Sequence, residues 1–250
     1  MAFVTVTLAE RPDLMKPMWD MVNTWPPFMR NDPVGNRLFG RAVELFPAHQ
    51  LVVLENGAAG AGTVIGKVNA IPFAWDGSDD DLPDRGWDAV LERGVRDHER
   101  GTPPGAVSLL EARLDPAHVG AGRSAVLLTQ ARDNASRLGY TDLLGPVRPT
   151  LKAAEPRTPI GDYAFRTRED GLPADPWMRT HVRVGARTVK VCPASMTIPG
   201  TLADWRRWTG LPFDTSGDLD VPGALTPVHV SVEQDHAVYV EPNVWMHHRL

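Results

Sequence analysis

The fold of this chain is decided by the stretch Leu114-Asp-Pro-Ala-His-Val-Gly-Ala-Gly-Arg-Ser-Ala-Val-Leu-Leu128. It joins a strand-like run, 106–114, to a helix-like run, 123–138. The first N–H groups of a helix have no partner within the helix, and the helix dipole favours negative charge there. Gly120 and Gly122 carry no side chain, so a phosphate can approach their backbone closely. The stretch therefore predicts an anion site, most simply for the pyrophosphate of a carried acyl group.

Two other glycine-rich turns have related spacings. A P-loop requires Lys followed by Ser or Thr after its last glycine, whereas this turn has Arg123-Ser124 after a shorter loop. The dinucleotide fingerprint G-x-G-x-x-G would have Ala125 at its third glycine, but no repeated βαβ pattern precedes the turn. A nucleotide-binding oxidoreductase stays open as one alternative, and a helix start without any ligand stays open as another.

The spacing most resembles the acyl-donor loop of the GNAT acyltransferase superfamily. That family has V-x-P at a strand end, then Arg/Gln-x-x-Gly-x-Gly/Ala, then a helix with paired apolar residues. These positions fall here on Leu114-Asp115-Pro116, on 119–124 and on Leu127-Leu128, with Val119 in place of Arg or Gln and Ser124 in place of the last small residue. The resemblance implies a pantetheine-bearing donor, either acyl-CoA or an acyl group on a carrier-protein phosphopantetheine arm. The predicted donor-binding residues are Leu114, Val119, Gly120, Ala121, Gly122, Arg123, Ser124, Arg148 and Lys152.

The order of the predicted elements matches the opening of a GNAT domain. Strands are predicted at 3–8, 51–54, 61–71, 106–114, 141–147, 188–192, 226–232 and 237–240, with Asn56-Gly57 as a hairpin turn; helices are predicted at 14–22, from Asp32-Pro33 toward Phe46, and at 87–96, 123–138, 175–184 and 202–209. The fold class is α/β (α+β): a central mixed, mostly antiparallel sheet with a splay between two strands, flanked by helices. We expect one domain over 1–250, enlarged by an insertion or lid at 73–105 and completed by a C-terminal helix, hairpin and tail at 193–250.

Composition excludes several classes of function. The chain has 250 residues, a formal net charge of −5 and one cysteine, Cys192. The negative charge gives no support to general nucleic-acid binding, and a single cysteine excludes an internal disulfide and a thiolate metal cluster. No apolar run approaches the ~20 residues that cross a bilayer, and the N-terminus lacks the pattern of a signal peptide. These features predict a cytoplasmic protein with no membrane or nucleic-acid partner.

Two residues are predicted to carry the chemistry of acyl transfer. Glu111 lies on the strand that leads into the glycine turn, and strand alternation places it on the same face as Leu109 and Arg113. Its carboxylate is a candidate base for the acceptor amine, or else one half of a Glu111–Arg113 ion pair. The resemblance implies a second role, because His181 occupies the position where the family often has a Tyr that acts as general acid. A structural histidine is the alternative.

Other polar side chains are given binding roles or none. Arg148 and Lys152 follow the strand 141–147, near the edge where α/β proteins bind ligands, so they are candidates for a donor phosphate; a charged rim is the alternative. Glu241, Asn243 and Trp245 alternate along the C-terminal tail and would line the acceptor pocket if that tail folds back over the sheet. The alternative is a surface strand with one packing Trp. His247-His248 lacks any metal-ligand spacing, so no metal site is predicted.

The sequence therefore predicts an N-acyltransferase for the amine of a small molecule, with acyl-CoA or an acyl carrier protein as donor. Bacterial specialised metabolism is the setting that the resemblance favours, and a homodimer is left open. The alternative from another class is a GNAT-fold protein that binds an acyl ligand without turnover.

Overall fold

A computed structural model describes residues 3–55, 62–120 and 122–250 of the chain. The strands are β1 Phe3–Thr7, β2 Leu51–Glu55, β3 Thr63–Phe73, β4 Ala106–Leu114, β5 Asp142–Val147, β6 Ala186–Gly200, β7 Gly217–Leu219, β8 Val228–Ser231 and β9 His236–Arg249. The helices are α1 Met15–Trp19, α2 Pro33–Leu45, α3 Gly86–Arg100, α4 Arg123–Arg137, α5 Ile160–Ala164, α6 Pro176–Arg183 and α7 Leu202–Thr209. The predicted turn at Asn56-Gly57 lies outside the described residues. In the described parts of the chain, no helix has the length and apolarity needed to cross a bilayer.

The strands form one mixed sheet in the order β1-β2-β3-β4-β5-β9-β8-β7, with β6 paired to β9. Pairing is antiparallel except between β4 and β5, which run parallel and pair only at Val107 with Leu143 and Ser108 with Leu144. Beyond Ser108 the two strands separate. The predicted sheet and its splay are therefore confirmed, and the splay lies directly before the glycine turn.

A bulge in β4 changes which side chains share a face. Asn69 of β3 lies opposite Glu111, but the next residue, Ala70, lies opposite Leu109, so Leu110 is the extra residue of the bulge. Leu109 packs in the cluster of α4, whereas Glu111 lies with Lys67 on the other face. The expectation that Glu111 shares a face with Leu109 is wrong, because the bulge interrupts the alternation between them.

Helices cover both faces of the sheet. One face packs in a large cluster that includes Trp87 and Leu91 of α3 and Trp205 of α7, each at most 5% exposed. The other face packs against Leu127 and Leu128 of α4. The region 73–105, expected as an insertion or lid, thus contributes a helix that is packed into the core, because α3 is amphipathic and buries its apolar side.

The C-terminal tail is part of the sheet. Residues 241–249 form the second half of β9, which pairs with β5 on one edge and with β6 on the other. Pro242, which has no N–H to donate, lies opposite the irregular stretch of β6 between Cys192 and Met196, so no ladder bond is lost there. Of the two alternatives for the tail, the structure shows a strand, but one that is buried within the sheet and not at its surface. β6 continues beyond the predicted end at Cys192 because it pairs with β9 as far as Gly200.

Candidate active site

The glycine turn opens a cavity at the start of α4. Gly120 and Gly122 have φ of 106° and 74°, and no side chain caps the helix. A cavity of about 460 Å³, which we call the loop cavity, lies beside this turn and is lined in part by Leu114, Val119 and Ser124. The N–H groups of Arg123 and Ala125 donate to the carbonyls of Gly120 and Gly122 at 3.1 and 3.0 Å, whereas Ser124, between them, lines the cavity. The start of α4 therefore offers its unbonded N–H groups and its helix dipole to an anion.

Two other predicted donor residues have different surroundings. The Arg123 guanidinium donates to the His118 carbonyl at 3.2 Å and lies over the ring of Phe3 at 5.4 Å. Ala121 lies outside the described residues. The turn thus offers its backbone to a ligand, while the Arg123 side chain is engaged within the protein.

The splay between β4 and β5 forms a second cavity of about 150 Å³, the cleft cavity. Its walls include Leu109 and Glu111 from β4, Gly145 from β5, and Trp177 and His181 from α6. Because β4 has no strand partner on this edge after Ser108, its N–H and C=O groups face the cleft. An extended chain that carries amide groups can pair with such an edge as a strand does.

Glu111 is held by two cations on the floor of the site. Its Oε2 lies 2.7 Å from Lys67 Nζ, and its Oε1 accepts from Arg113 Nε at 2.8 Å. Glu111 and Lys67 are 7% and 2% exposed, and burial lowers the pKa of Lys67. The Glu111–Arg113 pair that the sequence allowed is present, and Lys67 makes it a group of three charges.

His181 lies on the α6 side of the cleft cavity and is 1% exposed. Its Nδ1 is 3.0 Å from His248 Nε2, while its Nε2 has no partner in the described protein. Burial, with a smaller effect of His248, holds the pKa of His181 well below its usual 6.5, and burial lowers that of His248 to about 4. Both rings are therefore neutral near pH 7, and one nitrogen of the His181 ring has no partner among the described residues.

The remaining predicted residues separate into two groups. Arg148 lines both the loop cavity and the cleft cavity, and its Nε donates to Glu241 Oε1 at 2.8 Å. Glu241 also accepts from the Asn243 side chain at 3.2 Å, and both residues line the cleft cavity. These three side chains thus form one wall of the splay.

Lys152 and Trp245 lie elsewhere. Lys152 is fully buried and its Nζ donates to the carbonyls of Glu155, Pro156 and Leu225, which leaves no donor for a phosphate. Trp245 packs in the core and donates its Nε1–H to the Pro83 carbonyl at 3.0 Å. The geometry therefore gives neither residue a place in the site.

A third cavity of about 250 Å³ lies on the other side of Glu111, and we call it the aromatic cavity. The aromatic residues that line it are Trp19, Trp25, Phe39 and Trp87; the charged residues are Arg30, Asp32, Lys67, Glu111 and Arg113. Glu111, Trp25 and Trp87 belong to the walls of both this cavity and the cleft cavity. A group that enters through the cleft and a group in the aromatic cavity would therefore meet at Glu111.

Sequence reasoning missed two residues of the aromatic cavity. In the sequence, Asp32 was recognisable only as the N-terminal cap of α2, and Lys67 only as a residue of a predicted strand. The signal for Lys67 was its position in the otherwise mostly apolar run Thr63–Phe73, where a cation has to be paired.

Comparisons with known proteins identify the superfamily. The chain matches no protein-family model. It is 30% identical to arginine N-acetyltransferase avaD of Aspergillus versicolor over an alignment of 269 positions, which covers 97% of this chain and 92% of that protein. Its fold is similar to the loading GNATL domain of CurA from Lyngbya majuscula, with a TM-score of 0.61, 14% identity and coverage of 100% and 98% of the two chains. It is also similar to the GphF GNAT-like decarboxylase in complex with isobutyryl-CoA, with a TM-score of 0.56, 17% identity and coverage of 100% and 99%.

The 30% identity to avaD extends over nearly the whole of both chains, and the splayed sheet and the glycine turn point to the same superfamily. The chain therefore belongs to the GNAT superfamily and is an N-acyltransferase.

Proposed function

We propose that the protein transfers an acyl group from acyl-CoA to the amine of a small basic amino acid, with arginine as the first candidate. The observation that carries the proposal is that Glu111 forms a wall of both the cleft cavity and the aromatic cavity. The name of the relative avaD supports arginine as the acceptor to test.

The donor would lie along the loop cavity and the cleft cavity. Its pyrophosphate would be bound by N–H groups at the start of α4, with Arg148 between the two cavities as a further cation. The amides of the pantetheine arm would pair with the open edge of β4, and the thioester would then reach the neighbourhood of Glu111. A carrier-protein arm has the same pantetheine but not the nucleotide, so it is the second donor to test.

The proposed reaction joins the amine nitrogen to the thioester carbonyl carbon. The neutral amine attacks that carbon, the C–S bond breaks, and the proton lost by the nitrogen passes through Glu111, directly or by way of water, to the leaving thiolate. The products are an amide and a free thiol. Because the thioester is already activated, positioning supplies much of the rate.

His181 is proposed to donate a hydrogen bond rather than a proton. His181 Nδ1 and His248 Nε2 lie 3.0 Å apart, so one proton lies between the two neutral rings. The proposed role places that proton on His248 Nε2, which puts the proton of His181 on its unpartnered Nε2. A fixed N–H donor at this place would stabilise the charge that develops on the oxygen or sulfur of the thioester.

The test is turnover with a defined donor and a set of amines. Purified protein is mixed with acetyl-CoA and arginine, and free thiol and N-acetyl product are measured together, with the reaction lacking an amine as control. We expect one thiol per amide. Acetyl-CoA binding without amide from arginine or any amine tested would refute the proposal, and amide formation only with a pantetheine-loaded carrier would replace CoA as the donor.

A further inference from the structure

The aromatic cavity is lined by Asp32, a buried carboxyl group that the proposed mechanism does not use, and a second buried carboxyl group, Asp88, lies next to Asp32. Asp32, just before α2, is 2% exposed, and Asp88 in α3 is 1% exposed. Asp32 Oδ2 accepts from Gly35 N at 2.5 Å and caps α2. The Oδ1 atoms of both residues receive no hydrogen bond from a donor group in the described residues. Each carboxyl therefore keeps an acceptor that the protein leaves unsatisfied.

The charges around this pair do not neutralise it. Arg85 Nη2 is 4.0 Å from Asp88 Oδ2, but the Arg85 side chain is half exposed and also pairs with Glu92 at 3.2 Å. Arg37 of α2 pairs with Glu92 as well. Among the described residues, Asp32 forms no ion pair with a cation of the protein.

A shared proton reduces the repulsion between the Asp32 and Asp88 carboxyls when no ligand is bound. Burial and the neighbouring Asp32 raise the pKa of Asp88 to about 8, and burial also raises the pKa of Asp32. At neutral pH the pair therefore retains a proton between two acidic groups. A cation in the cavity would pair with Asp32 and replace the charge compensation that the shared proton gives.

Aromatic rings that pack edge to face on one another line the cavity beside Asp32. The ring centroids of Phe39 and Trp87 are 5.6 Å apart, those of Trp25 and Trp87 are 6.4 Å apart, and these rings line the same cavity as Asp32. Aromatic faces attract cations, and a guanidinium group also stacks on them while it donates to a carboxylate in its own plane.

A second group of charges lines the same cavity. Lys67 and Arg113 together carry one more charge than Glu111 neutralises, so this group has a net positive charge. An amino acid with a cationic side chain has charges that complement both groups: its carboxylate faces Lys67 and Arg113, and its side chain faces Asp32. Its α-amine then lies near Glu111, where the thioester arrives.

We propose that Asp32 binds the cationic side chain of the acceptor, with the Asp88 carboxyl as its neighbour behind it, and that a guanidinium is the preferred cation. This inference rests on the proposed function, because it assumes that the α-amine of the same molecule is acylated.

The test is calorimetric binding of arginine and citrulline to the protein saturated with free CoA. Citrulline has the same length but a neutral urea group in place of the guanidinium. Loss of one partner of a buried charge pair weakens binding by about 30-fold or more, so wild type should bind arginine at least that much more tightly. Asp32→Asn keeps the helix cap, since Asn caps as well as Asp, and should reduce the preference to less than about threefold. CoA affinity and citrulline affinity should not change.

A second pair of variants tests the same place without removing a charge. A Cβ at Gly35 would lie 3.1 Å from Asp32 Oδ2 and 3.3 Å from Trp87 Cη2, whereas a Cβ at Gly40 of the same helix meets nothing within 4 Å. Gly35→Ala should weaken arginine binding several-fold, and Gly40→Ala should leave it unchanged.

The outcomes separate this inference from the proposed function. An arginine preference that persists in Asp32→Asn, or an equal loss for arginine and citrulline, would overturn the inference even if acyl transfer occurs. Acylation of a guanidino nitrogen, shown by fragmentation of the product in a mass spectrometer, would also overturn it. A preserved binding preference without any amide product would instead refute the proposed function and support the cation site.

Discussion

Replacement of Gly122 by alanine tests the proposed donor site by adding a single methyl group to the glycine turn. Gly122 has φ of 74° at the start of α4, and a Cβ there would meet no atom of the described protein within 4 Å. The substitution therefore introduces no clash, and its cost to folding is the left-handed backbone conformation alone, about 1–2 kcal/mol. The added methyl group would stand in the space where the donor phosphate is proposed to approach.

Gly171 provides a matched control. It has φ of 75°, a Cβ there would also meet nothing within 4 Å, and it lies in the segment between α5 and α6. It lies outside the glycine turn that precedes α4. Gly171→Ala should therefore have the same backbone cost without any effect on a ligand.

The two variants separate backbone strain from binding. A hydrogen bond to a charged group contributes about 1.5–3 kcal/mol, so loss of one phosphate contact should raise the Kd of acetyl-CoA by about 10- to 100-fold. Urea denaturation should show a similar loss of stability in both variants, and calorimetry should show the loss of affinity in Gly122→Ala alone. Equal acetyl-CoA affinity in Gly122→Ala, Gly171→Ala and wild type would refute the proposed phosphate site.

Three further predictions concern buried titratable side chains. Glu111→Gln leaves Lys67 buried without a carboxylate, so the free energy of unfolding in urea should fall by about 3–5 kcal/mol; adding Lys67→Met should restore stability but not turnover. Asp88 keeps a proton in the folded protein up to a pKa of about 8, whereas the unfolded chain releases it near pH 4, so stability falls as pH rises between these values. Asp88→Asn lacks this pH dependence. The free energy of unfolding of the variant minus that of wild type, measured in urea from pH 5 to 8, should therefore increase by up to about 1.4 kcal/mol per pH unit. His181→Phe should lower kcat about 100- to 1000-fold with acetyl-CoA affinity unchanged, and the wild-type pH–rate profile should show no ionisation near 6.5, because burial keeps the pKa values of His181 and His248 lower.

Local signals in the sequence predicted the elements that frame the donor site. The bounds of β4 match the predicted 106–114, since its apolar run ends at Asp115-Pro116, and α4 begins at Arg123 directly after the glycine turn. The predicted caps Asp175 and Thr201 both accept hydrogen bonds from the first turns of α6 and α7. These features depend on residues that are close together in the chain, and they could therefore be predicted from the sequence.

Strand pairing and contacts between residues far apart in the chain could not be predicted in the same way. Three prolines in β6 and β9, Pro193, Pro199 and Pro242, made the sequence appear to break where both strands continue. The bulge at Leu110 leaves no mark in β4 itself, because it exists only relative to the register of β3. The roles of Lys67 and Asp32 likewise depend on which distant side chains meet them.

The bulge and the splay together explain why the two cavities meet at one carboxylate. Without the extra residue at Leu110, regular alternation would place Leu109 and Glu111 on one face, and an apolar side chain would occupy the space beside the charged group. The bulge instead lets Leu109 pack toward α4 while Glu111 faces Lys67. The separation of β4 from β5 after Ser108 opens the same strand edge to a donor. Deletion of Leu110, which would restore regular pairing, should therefore act on turnover by moving Glu111 as well as by altering the wall of the cleft cavity that Leu110 lines.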